Sequence, residues 1–368
     1  MTIRYRRAFC STGILLAAAL AGCTPDHPAA PTTIVYVSNA DSAEISVLRL
    51  DNATGAITPV DTVAVSGKVM PLTTSRDHRI LYAALRSAPY SVAAFGIDSA
   101  TGKLQPNPAV ALPDNMAYLS TDRTGRYLFG ASYTGDKISV NAIDPSGRVS
   151  PEPVQVIATP PHAHSIVTDP SNRYVFAAVL GGDVVLQFRF DEATGRLTPN
   201  EPASVATESG AGPRHLLFHR NGRYVYASNE LDGTVTTYRF DPDRGTLTLQ
   251  HSDSVLPPDF AGGAPATSDL HITPDGRYLY VAERTSSTIA GFRVADATGA
   301  LTPIGSTPTE AQPRGFGIDP RGRYLIAAGE KSNAITRYTI NPDTGALTPG
   351  EHLDLGRDPN WVEIIDMP

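Results

Sequence analysis

The side chains best suited to chemistry in this sequence are a small set of imidazole, guanidinium and carboxylate groups. They are His164, Arg214, Glu230 and Arg314, accompanied by His215, His271 and Arg284. A histidine or a glutamate can accept a proton from water. An arginine can stabilise a developing oxyanion or bind a carboxylate or phosphate. The set therefore predicts acid–base chemistry that is assisted by positive charge.

The sequence argues against several other kinds of site. No group of acids and histidines has the spacing of a metal site, so we expect neither a metal ion nor a cofactor. No Gly-Xaa-Ser-Xaa-Gly motif is present, which argues against a serine hydrolase. The formal net charge of −7 argues against a nucleic-acid partner, because phosphate binding needs a basic surface.

An internal repeat explains how residues so far apart in the chain can meet. Seven equivalent positions, spaced by roughly 46 residues or slightly more, are Ile34, Ile80, Tyr127, Tyr174, Tyr224, Tyr278 and Tyr324. Each repeat contains short alternating runs of β-branched and aromatic residues separated by turn residues, which is typical of strands. This pattern predicts an all-β fold, a seven-bladed β-propeller with four antiparallel strands in each blade.

The two ends of the repeat region predict how the propeller closes. The region begins with what corresponds to the second strand of a blade, at Ile34. It ends with what corresponds to a first strand, at Trp361 to Ile364. We therefore expect the C-terminal strand to complete the N-terminal blade, which leaves no open sheet edge.

The register of the repeats predicts one charged mouth of the central channel. The strand before each reference position should line this channel, with a ring of seven residues at one end: Met70, Ala117, His164, Arg214, Ser268, Arg314 and Asn360. An antiparallel hairpin should place a second set opposite them: Arg86, Tyr133, Leu180, Glu230, Arg284 and Glu330. We expect Arg214 to face Glu230, Ser268 to face Arg284, and Arg314 to face Glu330. His271 is expected at the same mouth. Ordinary cross-strand pairing remains an alternative, above all for Glu330 and His215.

Several stretches at these positions resemble the β-propeller lactonase family. They are Gly210–His215 (GAGPRH), Asn229–Leu231 (NEL), Leu270–Gly276 (LHITPDG) and Gln312–Phe316 (QPRGF). The family is typified by the bacterial propeller-type 6-phosphogluconolactonase and is related to fungal carboxymuconate cyclase. The resemblance runs from about Ile34 to the end of the chain.

The resemblance implies a metal-independent lactone hydrolase that acts on a sugar lactone or another anionic lactone. It implies a site of one histidine, two arginines and one glutamate, which match His164, Arg214, Glu230 and Arg314. An additional His162 precedes His164, and the register favours His164 as the inward one. Arg284 is our candidate for anchoring an anionic group, with His215 and His271 as further substrate-binding residues.

Two questions about this site stay open at the level of the sequence. The base is either Glu230 or His164, and the oxyanion is met by either Arg214 or Arg314. Two alternatives to lactone hydrolysis also stay open: a non-catalytic binding or scaffold propeller of the cell envelope, and a carboxymuconate-type cycloisomerase that uses the same residues. Under the hydrolase hypothesis the binding partner is a small lactone substrate. We expect the protein to be a monomer.

The N-terminal segment predicts export and a lipid anchor. Positive residues at Arg4, Arg6 and Arg7 precede a short apolar stretch that ends in Leu20-Ala21-Gly22-Cys23. This resembles a bacterial lipoprotein signal peptide (residues 1–23), followed by a Pro-rich tether (24–33) and the propeller (34–368). Stable anchoring would come from several acyl chains on Cys23. Thr24 after the cysteine favours the outer membrane, facing the periplasm. The export route, by the general or the twin-arginine pathway, stays open.

Overall fold

The computed structural model describes residues 1–4, 8 and 32–367. Residues 31–368 form one compact unit, which contains every strand of the described residues. The predicted signal-peptide core and Cys23, the predicted lipidation site, lie outside the described residues. Within the described residues, no helix has the length and apolar character needed to cross a bilayer.

This unit is built from seven antiparallel sheets, here called blades 1 to 7 in chain order. Blade 1 contains β29 (Pro359–Asp366), β1 (Thr33–Asn39), β2 (Glu44–Leu50) and β3 (Ile57–Ala64). Blade 2 contains β4 (Val69–Thr74), β5 (Ile80–Leu85), β6 (Ser91–Ile97), β7 (Leu104–Pro106) and β8 (Val110–Ala111). Blade 3 contains β9 (Met116–Thr121), β10 (Tyr127–Ser132), β11 (Lys137–Ile143) and β12 (Val149–Ala158).

The remaining four blades repeat the same order of strands. Blade 4 contains β13 (Ala163–Thr168), β14 (Tyr174–Val179), β15 (Val184–Asp191) and β16 (Arg196–Ala206), with a 3-10 turn at Leu180–Gly182. Blade 5 contains β17 (Pro213–Phe218), β18 (Tyr224–Asn229), β19 (Thr234–Asp241) and β20 (Thr246–Ser254). Blade 6 contains β21 (Thr267–Ile272), β22 (Tyr278–Glu283), β23 (Thr288–Val294) and β24 (Leu301–Pro308). Blade 7 contains β25 (Pro313–Ile318), β26 (Tyr324–Gly329), β27 (Ala334–Ile340) and β28 (Leu347–Asp354).

The ring closes as the sequence predicts. Strand β29 pairs antiparallel with β1, with Val35 opposite Ile364 and Tyr36 opposite Glu363. The first strands of neighbouring blades contact one another around the whole ring, and β29 contacts both β25 and β4. These first strands therefore form the wall of the central channel. The predicted seven-bladed β-propeller is confirmed.

The turn between the first two strands of a blade is fixed by a buried aspartate in several repeats. In blade 3 the Asp122 carboxylate accepts hydrogen bonds from the backbone N–H groups of Arg126 and Tyr127. Asp319 does the same for Arg323 and Tyr324 in blade 7. Because these carboxylates satisfy turn N–H groups that the ladder leaves free, the channel-lining strand and its neighbour start in a fixed register.

Neighbouring blades are joined through the tyrosines of their second strands. Tyr226 donates its hydroxyl hydrogen bond to the carbonyl of Gly299, and Tyr280 donates to the carbonyl of Gly345. Both tyrosine rings are fully buried between blades. A buried phenol needs a partner for its O–H, so each bond fixes one blade against the turn of the next.

Blade 2 departs from the predicted four strands. Its outer edge is split into β7 and β8, which both pair with β6. Strand β7 ends at Pro106, and the interruption, residues 107–109, contains Pro108. Proline has no backbone N–H to donate to a ladder, so Pro108 adds no ladder hydrogen bond within the interruption.

Candidate active site

Each of the seven ring residues at the predicted mouth lies in a β-bulge between the first and second strands. In blade 5, His215 pairs with Ser228 but Pro213 pairs with Asn229, which leaves Arg214 without a partner in the ladder. The register shifts in the same way at the ring position of the other six blades. A bulge re-aims the side chain of its extra residue. The prediction that Arg214 lies directly opposite Glu230 in the ladder is therefore wrong, and so is the same prediction for Arg314 and Glu330.

The bulge nevertheless brings Arg214 and Glu230 together through their side chains. Nε of Arg214 lies 2.8 Å from Oε2 of Glu230, although its N–H does not point along that line. Nη2 of Arg284 lies 2.9 Å from the other carboxylate oxygen, Oε1. Glu230 therefore bridges two guanidinium groups from blades 5 and 6. The predicted pairing of Ser268 with Arg284 is wrong. The Ser268 hydroxyl donates to the Pro313 carbonyl, and Arg284 contacts Glu230 instead.

Arg214 is held on several sides. It is 1% exposed, and its Nη1 donates to the Ser268 carbonyl at 2.8 Å and to Nε2 of His215 at 3.1 Å. Arg314 is held more loosely, since its Nε lies 3.7 Å from Oε1 of Glu330 and 16% of its side chain is exposed. The Arg314–Glu330 contact agrees with the predicted pair. Arg214 is thus a fixed charge and Arg314 a more accessible one.

His164, rather than His162, points into this cluster. His164 is 3% exposed, its ring packs against His215 at 5.2 Å between centroids, and its Nδ1 is buried without a hydrogen-bond partner among the described residues. His162 instead stacks on Tyr133 at 4.3 Å, with nearly half of its side chain exposed. The register argument that favoured His164 is confirmed.

A hydrogen-bonded chain continues from the mouth into the channel. Nδ1 of His215 lies 2.9 Å from Oδ1 of Asp269, and Nε2 of His271 lies 3.2 Å from Oδ2 of the same carboxylate. Because Nε2 of His215 accepts from Arg214, its proton must sit on Nδ1, facing Asp269. His271 was expected in the arginine cluster, and this prediction is wrong. Its ring contacts Asp269 and Phe316, outside that cluster.

The positive charges set the protonation of this cluster. Burial and the charge of Arg314 lower the pKa of Arg214 to about 9, so Arg214 stays charged at neutral pH. Burial, with Arg214 beside it, lowers the pKa of His164 well below its usual value, so its ring is neutral. Burial alone would raise the pKa of Glu230, but Arg214, Arg284 and Arg314 together lower it. Glu230 is therefore a carboxylate.

The channel below the mouth holds a second polar region. A cavity of about 190 Å³ is lined by Tyr118, His215, Asp269, His271, Trp361 and Glu363 with neighbouring strand residues. Burial raises the pKa of Glu363 to about 7. Burial alone would lower the pKa of His271, but the charges of Asp269 and Glu363 outweigh it, so the pKa of His271 is raised. The larger groove beside Tyr278 and Pro342, by contrast, has no histidine among its described lining residues.

Sequence reasoning overlooked several residues of the mouth. Asp269, which holds two histidines, was not singled out, although an acid two residues before His271 on a channel strand was a usable signal. Arg86 and Tyr133 occupy the same repeat position as Glu230 and Arg284, but no role was assigned to them. Among the described residues, no group of three or more His, Cys, Asp or Glu has the arrangement of a metal site.

Comparison with known proteins identifies the family. Residues 32–364 match the model of the family described as lactonase, 7-bladed beta-propeller. The 6-phosphogluconolactonases of Serratia proteamaculans and Pectobacterium carotovorum are 47% and 45% identical over 125 and 127 residues. Each alignment covers 34% of this chain and 38% of the relative. The periplasmic gluconolactonase of Pseudomonas aeruginosa superposes with a TM-score of 0.85 at 28% identity, over 92% of this chain and 100% of that one. The chain therefore belongs to the lactonase family of seven-bladed β-propellers.

Proposed function

We propose that this protein hydrolyses a lactone, a sugar lactone or another anionic one, without a metal ion, at the mouth formed by His164, Arg214, Glu230 and Arg314. The observation that carries the proposal is a neutral, buried imidazole beside two guanidinium groups. Lactone opening requires a base for the attacking water and positive charge where the carbonyl oxygen becomes an oxyanion. The names of the Serratia and Pseudomonas relatives support this class of reaction.

His164 is the better candidate for the base. Both oxygens of Glu230 already face guanidinium nitrogens, and three arginines lower its basicity. Among the described residues Nδ1 of His164 has no hydrogen-bond partner, and the ring is neutral, so the imidazole can accept a proton. Burial makes the protonated ring costly, and the negative charge of a bound reaction intermediate would offset that cost. Glu230 then serves to hold Arg214 and Arg284 in place.

The proton and electron changes balance with these groups alone. The water oxygen bonds to the carbonyl carbon while His164 takes one water proton, and the oxyanion forms near Arg214 and Arg314. The tetrahedral intermediate collapses by breaking the ring C–O bond, and the protonated His164 returns its proton to the leaving ring oxygen. The product is the open hydroxy acid. Arg214 suits the oxyanion because its position is fixed before the reaction begins.

A comparison of two adjacent histidines tests this proposal. Hydrolysis of glucono-1,5-lactone and of its 6-phosphate is measured for the wild type, His164→Gln and the matched control His162→Gln. We expect His164→Gln to lower kcat about 10²- to 10⁴-fold, and His162→Gln to leave it within about twofold. Glu230→Gln and Arg314→Ala extend the series. Equal rates in all variants would remove these residues from the mechanism, and a wild type that opens no lactone would favour a binding propeller.

We infer further that the protein is a lipoprotein anchored through Cys23 to the outer membrane and facing the periplasm. The N-terminal sequence supports this placement, and the Pseudomonas relative is named a periplasmic protein. Such a location is far from cytoplasmic phosphorylated sugars, so the proposal specifies the class of reaction and leaves the choice of lactone to the assay. Replacing Cys23 by Ser should move the protein from the membrane fraction to the soluble periplasm and abolish labelling by radioactive palmitate. The control Cys10→Ser should change neither.

A further inference from the structure

We propose that Arg86, together with Arg314, forms a binding subsite for a compact anionic group, a phosphate or a carboxylate, carried by the substrate. This inference rests on the proposed lactonase function for the identity of the substrate. It replaces Arg284 as the candidate anchor, because Arg284 is already engaged by Glu230 and by the Ala266 carbonyl.

The position of Arg86 places it at the mouth. Arg86 directly follows β5, and one of its terminal nitrogens, Nη1, lies 3.1 Å from Sδ of Met70. Met70 is the ring residue of blade 2, at the place that Arg214 and Arg314 hold in blades 5 and 7. The guanidinium group of Arg86 is therefore at the level of the ring, on the side of the channel that blade 2 contributes.

The partners of Arg86 leave its charge uncompensated. Nε donates to the amide oxygen of Asn115, and Nη1 meets the thioether of Met70; both partners are neutral. Within residues 32–367, no carboxylate lies within ion-pair distance of Arg86. The nearby Lys68, by contrast, is paired with Asp41 at 2.6 Å.

Arg86 is a half-buried cation beside another cation. Burial, and after it the charge of Arg314, lower the pKa of Arg86 to about 10, so it remains protonated at neutral pH. Arg86 and Arg314 repel each other, and the Glu330 carboxylate, 3.7 Å from Arg314, compensates only one of the two charges. Placing both guanidinium groups there therefore costs free energy. An anion between them would remove that cost and accept several charge-assisted hydrogen bonds.

The geometry also suits a small bifunctional ligand. Arg314 is the ring residue of blade 7, and its charge lowers the pKa of both His164 and Arg86, so all three groups face the same mouth. A lactone ring whose carbonyl faces His164 would direct a charged substituent on the ring towards Arg86. The subsite would therefore discriminate lactones that carry an acidic group from neutral ones.

Unreactive ring compounds test the subsite without relying on catalysis. Binding of glucose, glucose 6-phosphate and glucuronate is measured by calorimetry or NMR titration on the wild type, Arg86→Gln and the matched control Lys68→Gln. We expect the wild type to bind a charged ring more tightly than glucose. Arg86→Gln should lose about 10- to 100-fold in affinity for that charged ring and keep its affinity for glucose. Lys68→Gln, which removes one exposed charge from the same blade, should change each affinity by less than about twofold.

The outcomes separate this inference from the proposed function. A preference for glucose 6-phosphate identifies the group as phosphate, and a preference for glucuronate identifies it as carboxylate. Equal binding of all three rings by the wild type, or equal loss for glucose and the charged rings in Arg86→Gln, would overturn the subsite. If the wild type opens no lactone, but Arg86→Gln still loses affinity for the charged ring, the hydrolase proposal is refuted and the subsite is supported.

Discussion

Glu230→Gln should destabilise the folded protein at neutral pH, and the structure allows the effect to be worked out. The substitution keeps the size of the side chain and removes the charge that bridges Arg214 and Arg284. Removing one partner of a buried ion pair costs about 3–5 kcal/mol, because the other charge stays buried and unpaired. Glu230 is 20% exposed, so water relieves part of that cost. We expect a loss of about 2–4 kcal/mol in the free energy of unfolding.

The pH dependence of this loss has a definite sign. The pKa of Glu230 is lowered in the folded state, so folding favours the carboxylate. Its stabilising contribution is complete above the ordinary glutamate pKa of about 4.3 and disappears as the pH falls through the lowered value. The difference between the wild type and Glu230→Gln should therefore be largest at pH 7 and shrink in acid.

Urea unfolding followed by the fluorescence of Trp361, the one tryptophan of the chain, measures this difference. Glu330→Gln is the matched control, because Glu330 occupies the same repeat position but lies 3.7 Å from its single arginine partner. We expect the control to lose less than half as much. The reasoning would be refuted if Glu230→Gln stayed within about 0.5 kcal/mol of the wild type at pH 7, or if both variants lost equally.

Two further substitutions probe the channel below the mouth. Asp269→Asn should cost about 3–5 kcal/mol of stability, since it removes a buried charge shared by two histidines. It should also change the nitrogen-15 chemical shifts of the His215 ring. Unchanged shifts would mean that Asp269 does not hold the His215 proton on Nδ1. Glu363→Gln should have the opposite sign, because a pKa raised to about 7 means that stability is lost as the pH rises from about 4.3 towards 7. In acid the Glu363→Gln variant should be as stable as the wild type, and above pH 7 it should be more stable by up to about 3 kcal/mol. A variant less stable than the wild type at pH 8 would contradict this.

The architecture could be predicted because it is repeated. Seven similar runs of strand and turn residues specify the blade number, and the first and last runs specify the closure between β29 and β1. The same repetition distinguished His164 from His162, since only one of them falls at the ring position. Each of these conclusions depends on a pattern that several blades share, so an error in one blade has little effect.

The contacts within the mouth could be predicted only in part. A β-bulge adds one residue to one strand and leaves no mark in hydrophobic periodicity, so the direct pairing of Arg214 with Glu230 was expected in the wrong register. The bridge from Glu230 to Arg284 joins two blades, and a pairing rule confined to one hairpin cannot find it. Asp269 has the same difficulty, because its importance comes from His215 in the neighbouring blade.

The charge balance of the mouth connects the fold to the chemistry. Arg214 and Arg284 share the single carboxylate of Glu230, Arg314 has only a distant Glu330, and Arg86 has no carboxylate within reach among the described residues. The mouth thus carries excess positive charge in a chain whose formal net charge is −7. Bulges at the ring make this possible, because they turn the side chains of Arg214 and Arg314 out of the ladder and towards the axis. Buried positive charge lowers stability unless a negative charge compensates it. The proposed lactonase reaction and the proposed Arg86 subsite both assign that compensation to an anion, which would be carried by the substrate or formed during its reaction.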